Sequence, residues 1–160
     1  MTITFKSGYL FDQDADALVN TVNCVGVMGK GVALEFKRRW PGNFKAYKRL
    51  CDSKSLKPGC VYIHEVDDLF GKGGPRFIVN FPTKDHWRAK SKIEFIESGL
   101  DALALELKNS MIRSIALPPL GCGNGGLEWA DVRPLIIEKL EDVNANVVVM
   151  EPHHQMDPSE

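Results

Sequence analysis

The sequence predicts a single α/β domain built on a mixed β-sheet. Several short β-rich runs are apolar on successive residues, as is typical of strands that helices cover on both faces. Helical patterns separate these runs, and the second half of the chain reads strand, helix, strand, loop, helix, strand. A length of 160 residues, with 44% hydrophobic and 26% charged residues, favours one sizeable core over two.

Six runs are predicted to be strands. They are rich in β-branched residues and end at turn-forming or polar residues. In chain order they cover residues 2–5, 17–20, 60–64, 76–80, 113–117 and 146–150.

Four helices are predicted between these strands. Two of them flank Pro41, and a third covers residues 131–140. The clearest covers residues 91–108, where an apolar residue recurs every three or four positions. Ser91 and Glu94 predict a capping box at its start. The residues expected to face the core are Ile93, Ile96, Leu100, Leu103 and Leu107 in this helix, and Val132, Leu135, Ile136 and Leu140 in the third.

Composition and charge exclude several classes of protein. A formal charge of −1 gives no global reason to expect nucleic-acid binding. No apolar run approaches the ~18 residues of a membrane span, and the N-terminus lacks the apolar core of a signal peptide, which predicts a cytoplasmic protein without membrane contact. We expect a folded domain over residues 1–152 and a flexible polar tail over 153–160.

The four cysteines predict reduced thiols rather than a metal site. They form no CxxC pair, and no histidine lies at zinc-finger spacing from them. Cys24 and Cys122 lie in glycine-rich loops without a histidine nearby in sequence, which favours a packing role over a nucleophilic one.

Two glycine-rich loops are the main candidates for a ligand site. "NTVNCVGVMGKG" covers residues 20–31, and "PPLGCGNGGLEW" covers residues 118–129. Each follows an apolar strand and leads into a helix. Ligands of open α/β sheets bind beyond the carboxyl ends of the strands, and the N–H groups at helix N-termini favour anions. The two loops together therefore predict phosphate or nucleotide binding, with ordinary structural turns as the alternative.

Common nucleotide-binding motifs do not fit these loops. A Walker A loop requires Ser or Thr after its lysine, but Gly31 follows Lys30. Gly121, Gly123 and Gly126 match GxGxxG, yet only 34 residues follow Gly126, which is too few for the rest of a dinucleotide-binding domain.

The pair of loops resembles that of the macro domain family, an α/β/α module that holds ADP-ribose. "ALVNTVNCVGVMGKGVALEFK" is similar to the family's first ligand loop, and "ALPPLGCGNGGLEW" to the second, whose backbone wraps the diphosphate. The resemblance spans residues 2–151 and implies three layers around a mixed, largely parallel sheet. It implies that Asn23 contacts the distal ribose. The other ADP-ribose-binding residues that it implies are Tyr9, Leu10, Asn20, Thr21, Val27, Met28, Gly29, Gly31, Leu120, Gly121, Cys122, Gly123, Asn124, Gly125 and Gly126.

A lysine-containing segment narrows the resemblance. "NFPTKDHWRAKSK", residues 80–92, is similar to the branch that contains the DarG-type DNA ADP-ribosyl glycohydrolase antitoxins and the enzymes that remove ADP-ribose from glutamate. This resemblance implies that Lys84 is a catalytic residue that points at the distal ribose, and that Asn23 orients the sugar. A neutral amine can attack the anomeric carbon or form a Schiff base with the opened sugar.

Such chemistry near neutral pH requires a lowered lysine pKa. Desolvation or nearby positive charge lowers it, and Arg88 and Lys90 are candidates for that charge. The alternative is a surface lysine that neutralises phosphate.

The second loop bears on which bond is cut. Glutamate-specific enzymes of this branch have an aspartate at the position that matches Gly125, and no acid occurs here before Glu128. This favours the DarG type, which removes ADP-ribose from thymidine in single-stranded DNA. His86, Trp87, Arg88 and Lys90 are candidates for a DNA-binding rim, and residues 37–40, "KRRW", form a second basic aromatic cluster. Either cluster can instead be a solvated face over a packed tryptophan.

The resemblance also has departures. The family's "GD" beside the first strand is Gly8 and Tyr9 here, so we expect adenine recognition through Tyr9 stacking or backbone groups. DarG-type antitoxins also carry a C-terminal toxin-binding domain. The sequence here stops at Glu160, so we expect either a stand-alone enzyme or an excised catalytic domain.

The predicted function is a DNA ADP-ribosyl hydrolase. We expect it to be monomeric, to need no cofactor or metal, and to act on ADP-ribosylated single-stranded DNA against a cognate ADP-ribosyltransferase toxin. The alternatives are an ADP-ribose reader without turnover, or an enzyme for ADP-ribosyl glutamate or ADP-ribose phosphate.

Overall fold

A six-stranded mixed sheet forms the centre of the domain, as predicted. The computed structural model describes residues 2–67 and 73–152. The strand order is β1-β6-β5-β2-β4-β3, and every neighbouring pair is parallel except β3 and β4. The strands are β1 (Ile3–Lys6), β2 (Ala17–Val22), β3 (Tyr62–Glu65), β4 (Phe77–Pro82), β5 (Ser114–Leu117) and β6 (Asn146–Met150).

Four helices cover the two faces of this sheet. Helices α3 (Ile93–Asn109) and α4 (Trp129–Leu140) pack on one face, where the largest core cluster lies. Helices α1 (Gly31–Arg39) and α2 (Pro41–Asp52) pack on the other face, over two smaller clusters. The predicted three-layer α/β/α architecture is therefore confirmed. Within the described residues, none of the helices combines the length and apolarity that crossing a bilayer requires.

The sequence explains where several elements begin and end. Pro41 is the first residue of α2, where its missing N–H costs nothing, and Trp40 joins α1 to α2 without an intervening loop. Strands β2 and β4 each extend two residues beyond their predicted ends, to Val22 and Pro82. The predicted tail, residues 153–160, lies outside the described residues.

The predicted core face of α3 is confirmed, but its predicted capping box is wrong. Ile96, Leu100, Leu103 and Leu107 are buried. The residue that caps α3 is Lys92, and no side chain bonds to the free N–H groups there. Ser91 precedes this cap residue, and its N–H donates to the carbonyl oxygen of Gly125 at 3.0 Å, which holds Ser91 against the loop that follows β5.

Gly99 permits the close approach of α3 to the sheet, which gives a stability prediction. A Cβ atom at Gly99 would lie 2.4 Å from Cζ of the buried Phe81. We expect Gly99→Ala to destabilise the domain by about 1–3 kcal/mol, as overpacking does. This corresponds to a decrease in Tm of roughly 2–10 °C for a domain of this size, measured by calorimetry.

The matched control is Gly42→Ala in α2, where nothing lies within 4 Å of the added Cβ. Alanine restricts the unfolded chain and is the better helix former, so we expect this variant to be unchanged or slightly more stable. Equal destabilisation by both substitutions would contradict the packing argument.

The sheet brings the ends of three loops together. Strands β5, β2 and β4 are neighbours and parallel, so their carboxyl ends meet at one edge. We call residues 23–30, after β2, the first loop; residues 83–92, after β4, the lysine loop; and residues 118–128, after β5, the second loop. This edge is where ligands of α/β proteins bind.

Candidate functional site

The lysine loop links the other two loops through hydrogen bonds. The N–H of Cys24 in the first loop donates to the carbonyl oxygen of Asp85 at 3.1 Å. Nζ of Lys84 donates to the carbonyl oxygen of Asn124 in the second loop at 3.3 Å. The N–H of Ser91 donates to the carbonyl oxygen of Gly125. The three loops therefore form one connected surface.

Lys84 is half-buried at the centre of this surface. Burial lowers the pKa of its ammonium group, and the positive charge of Lys30 lowers it further. The predicted direction of the shift is confirmed. The predicted source of charge is wrong, because the charged neighbour is Lys30 at the start of α1, not Arg88 or Lys90. A larger fraction of Lys84 is consequently neutral, and nucleophilic, at a given pH.

Lys30 gives a testable pH dependence. In Lys30→Gln the repulsion is lost, so the pKa of Lys84 rises towards its ordinary value and the neutral amine forms only at higher pH. We expect the rising limb of the pH–rate profile for ADP-ribose release to move to higher pH. The loss of rate is then largest near neutral pH and becomes small in alkaline buffer.

The charge-matched control for Lys30→Gln is Lys45→Gln, which removes an exposed lysine of α2. This control should leave the profile in place. A Lys30 variant whose rate falls by the same factor at every pH would contradict the electrostatic role.

Asn23 is held by the first loop itself. Its Oδ1 accepts hydrogen bonds from the N–H groups of Val25 at 3.1 Å and Val27 at 3.4 Å, and from the hydroxyl of Tyr47 at 2.8 Å. Its Nδ2 donates to the carbonyl oxygen of Val27 at 2.8 Å. Three donors around one atom fix the orientation of the amide. Asn23 therefore has one N–H left for a ligand, and it can donate to a ribose oxygen but is not a base.

The second loop is wound too tightly for a side chain at Gly125. A Cβ atom there would lie 2.3 Å from Oγ of Ser91 and 2.4 Å from the carbonyl oxygen of Gly121. Two other glycines of this loop, Gly121 (φ +73°) and Gly126 (φ +80°), adopt left-handed backbone conformations. The absence of an acid at position 125 is thus a requirement of this backbone.

Some predicted ADP-ribose-binding residues are buried. Leu10, Met28 and Leu120 belong to the core, and any contact of theirs with a ligand would be through the main chain. Asn20 has no exposed surface, and its Nδ2 donates to Oδ1 of Asn80 at 3.4 Å. Four others, Thr21, Gly29, Cys122 and Gly123, lie at the carboxyl end of β2 or in the two glycine-rich loops.

A buried amide network lies beneath the site. Asn80 exchanges hydrogen bonds with Asn43 of α2 at 2.8 and 3.2 Å, and also bonds to Asn20. All three side chains are fully buried, so the network joins α2 to two neighbouring strands.

Tyr9 and Gly31 lie at the edges of the candidate site. Tyr9 is 48% exposed and packs against Phe11, with 5.2 Å between ring centroids. Its exposed surface is compatible with adenine stacking, which stays a prediction. A Cβ atom at Gly31 (φ +61°) would lie 3.5 Å from Nδ2 of Asn124, so the start of α1 adjoins the second loop.

The two basic aromatic clusters have different structures. Trp87 is 44% exposed, and Cζ of Arg88 lies 4.6 Å from the centroid of its ring. The His86 ring lies 5.4 Å from that of Trp87, and Lys90 extends over Gly126. In the 37–40 cluster, by contrast, Trp40 packs against Phe36 in the core. Only the cluster in the lysine loop is therefore a candidate rim for nucleic acid.

The cysteines near the site are poor nucleophiles. Burial raises the pKa of Cys24 to about 12 and that of Cys122 to about 11, so both thiols are protonated at neutral pH. This agrees with the predicted packing role. Within residues 2–67 and 73–152, His, Cys, Asp and Glu side chains form no cluster of three that could hold a metal ion.

Sequence reasoning missed three residues of the site. Lys30, Tyr47 and Ser91 act on Lys84, Asn23 and Gly125 respectively. For Tyr47 a signal existed, because Asn43, Tyr47 and Cys51 recur every four residues and are the buried residues of α2.

Comparison with known proteins identifies the family. The Macro domain family matches residues 19–136. The DNA ADP-ribosyl glycohydrolase of Mycobacterium tuberculosis is 49% identical over 146 residues, covering 89% of this chain and 41% of that protein. The protein of the same name from Thermus aquaticus is 47% identical over 151 residues, covering 94% of this chain and 41% of its own length. The chain thus spans about two-fifths of these curated relatives.

Solved structures agree with this result. The macrodomain of Mycobacterium tuberculosis DarG superposes with a TM-score of 0.89 at 44% identity, covering 95% of this chain and 99% of that one. Thermosipho africanus DarTG in complex with ADP-ribose gives a TM-score of 0.88 at 34% identity, covering 98% of this chain and 43% of that one. The family match covers well over half of the sequence, and the fold agrees with it: the chain belongs to the macro domain family.

Proposed function

We propose that this chain is a hydrolase that releases ADP-ribose from thymidine in single-stranded DNA. The observation that carries the proposal is the position of Lys84, a lysine with a lowered pKa that bonds to the second loop at the edge where ligands bind. A protein that only reads ADP-ribose has no use for a nucleophilic amine there. Relatives named DNA ADP-ribosyl glycohydrolase, at 47–49% identity, support the same activity.

Each loop has a separate role in this proposal. The N–H groups of the second loop and of the start of α1 bind the diphosphate, since such groups favour anions. Asn23 donates its remaining N–H to the distal ribose. The neutral amine of Lys84 attacks the anomeric carbon as the bond from that carbon to the base breaks, and the base takes up the proton that the attacking nitrogen loses. Water then hydrolyses the lysine adduct, which releases ADP-ribose and restores the amine.

Two features favour DNA over protein glutamate as the substrate. Gly125 has no space for the acid that glutamate-specific enzymes of this branch use. The exposed Trp87 and Arg88 offer a ring and a cation beside Lys84, which suit a base and a phosphate.

The proposed biological partner is a DNA ADP-ribosyltransferase toxin whose product this activity removes. A Thermosipho africanus relative, 34% identical over 162 residues, is named a DNA ADP-ribosyl transferase–DNA ADP-ribosyl glycohydrolase fusion protein. In that protein the two named activities occur in one polypeptide, which supports a functional pairing here.

The test measures ADP-ribose release from a thymidine-modified single-stranded oligonucleotide, with an ADP-ribosylated glutamate peptide as the comparison substrate. We expect release from the oligonucleotide and little from the peptide. Tight ADP-ribose binding without release from either substrate would show that the chain is an ADP-ribose reader without hydrolase activity. Faster release from the peptide would overturn the DNA assignment.

A further inference from the structure

An open cavity of about 490 Å³ adjoins the lysine loop and reaches Cys24 of the first loop. It is lined by Cys24, Asp85 and Phe95 and by four residues that follow α2: Lys54, Leu56, Lys57 and Pro58. Asp85 directly follows Lys84, so the Cα atoms of the two are only ~3.8 Å apart. A molecule attached to a sugar at Lys84 is therefore within reach of this cavity.

The charges around the cavity favour an anion beside an apolar surface. Lys54 and Lys57 line it, and Nζ of Lys92 lies 5.5 Å from the centroid of the Phe95 ring. Asp85 contributes the opposing carboxylate. Two cations and one acid thus line the cavity, and Lys92 lies near the aromatic ring of its lining. The excess of positive charge attracts phosphate groups, and Phe95 offers an aromatic ring on which a base can pack.

The backbone of Lys54 is strained. Its φ of +58° makes it the single non-glycine residue with positive φ in the described part of the chain. It follows the end of α2, where its N–H donates to the carbonyl oxygen of Cys51 at 3.0 Å. Glycine is the usual residue in this position. A lysine kept there at the expense of backbone strain suggests a functional role for its side chain.

We propose that this cavity binds the nucleotide next to the modified thymidine in single-stranded DNA. Lys54 and Lys57 neutralise its phosphate, and its base packs against Phe95. The carboxylate of Asp85 accepts a hydrogen bond from a base amino group. This subsite rests on the proposed function, because it extends the same substrate beyond the distal ribose.

The main test compares two substrates in the Lys54→Gln/Lys57→Gln variant. With an ADP-ribosylated thymidine oligonucleotide, we expect KM to rise about tenfold or more at low salt with kcat unchanged. The slope of log(kcat/KM) against log[salt] is negative, and it should become less negative by up to about 0.7 for each phosphate that the variant no longer neutralises. With ADP-ribosylated thymidine mononucleotide, which has no neighbouring nucleotide, both constants should match those of the native chain.

Two further variants exclude trivial explanations. Lys45→Gln/Lys108→Gln removes the same charge from exposed positions of α2 and of the last turn of α3, and should leave both substrates unaffected. Lys54→Gly relieves the strained backbone, so we expect a Tm higher by about 2–4 °C together with a higher KM for the oligonucleotide. A gain in stability with a loss of affinity cannot come from misfolding.

The outcomes separate the subsite from the activity. Equal KM values for the native chain and the double variant on the oligonucleotide would overturn the subsite while the hydrolase stands. If the native chain releases nothing from either substrate, the hydrolase proposal fails, and anisotropy with an unmodified labelled oligonucleotide at low salt then decides the subsite. Weaker binding by the double variant than by the Lys45/Lys108 control would support the cavity, and equal binding would overturn it.

Discussion

Lys84→Ala is expected to reduce ADP-ribose release by about 10²–10⁴-fold, the range over which a positioned proton-transfer or nucleophilic group contributes. In the proposed mechanism the Lys84 side chain supplies the amine, whereas the N–H groups proposed to bind the diphosphate belong to other loops. ADP-ribose affinity measured by calorimetry should therefore change only a few-fold. Single-turnover kinetics on the modified oligonucleotide measure the loss directly.

Lys84→Arg separates two versions of this role. Arginine keeps the positive charge but is protonated at any accessible pH, so it cannot attack carbon. We expect it to be as inactive as alanine if Lys84 is a nucleophile, and to retain much of the rate if Lys84 acts by charge alone. Native-like release by Lys84→Ala would exclude both roles.

Gly125→Ala is expected to disrupt the second loop. The added Cβ collides with Oγ of Ser91 and with the carbonyl oxygen of Gly121, and the latter contact is with backbone that cannot rotate away. Overpacking of this kind costs about 1–3 kcal/mol, or roughly 2–10 °C in Tm. Because the loop must move to relieve the collision, ADP-ribose affinity should fall by tenfold or more.

Two variants serve as controls for Gly125→Ala. Gly123→Ala adds a Cβ with nothing within 4 Å, so its Tm without ligand should equal that of the native chain. Adding Ser91→Gly to Gly125→Ala removes only the side-chain collision and should restore stability in part. Full recovery in the double variant would show that the backbone collision was overestimated.

The fold was largely predictable from the sequence, because its signals are local. The apolar stripe of α3 and the β-branched run of β6 each depend on neighbouring residues, and both occur as expected. The positions of the two glycine-rich loops followed from the ends of the apolar runs. Boundaries moved by one or two residues where strand pairing extended β2 and β4.

The parts of the site that sequence did not predict depend on contacts between distant segments. The capping box failed because Ser91 is held by Gly125, which no local pattern indicates. Lys30, the charged neighbour of Lys84, follows a different strand. The internal bonding of Asn23 likewise needs Tyr47 from α2. In each case a local rule was outweighed by packing around the sheet edge.

The buried asparagines also fix the alignment of two strands. Asn20 of β2 is directly opposite Asn80 of β4, and a slip of one residue would place it opposite Val79 or Phe81. Buried amides would then lose their partners, at a cost of roughly 1–3 kcal/mol each. Asn23 lies three residues beyond Asn20, and Lys84 four beyond Asn80. The separation of these two candidate site residues is thus set by strand alignment, so loop sequences can diverge and change specificity while the spacing of lysine and asparagine stays the same.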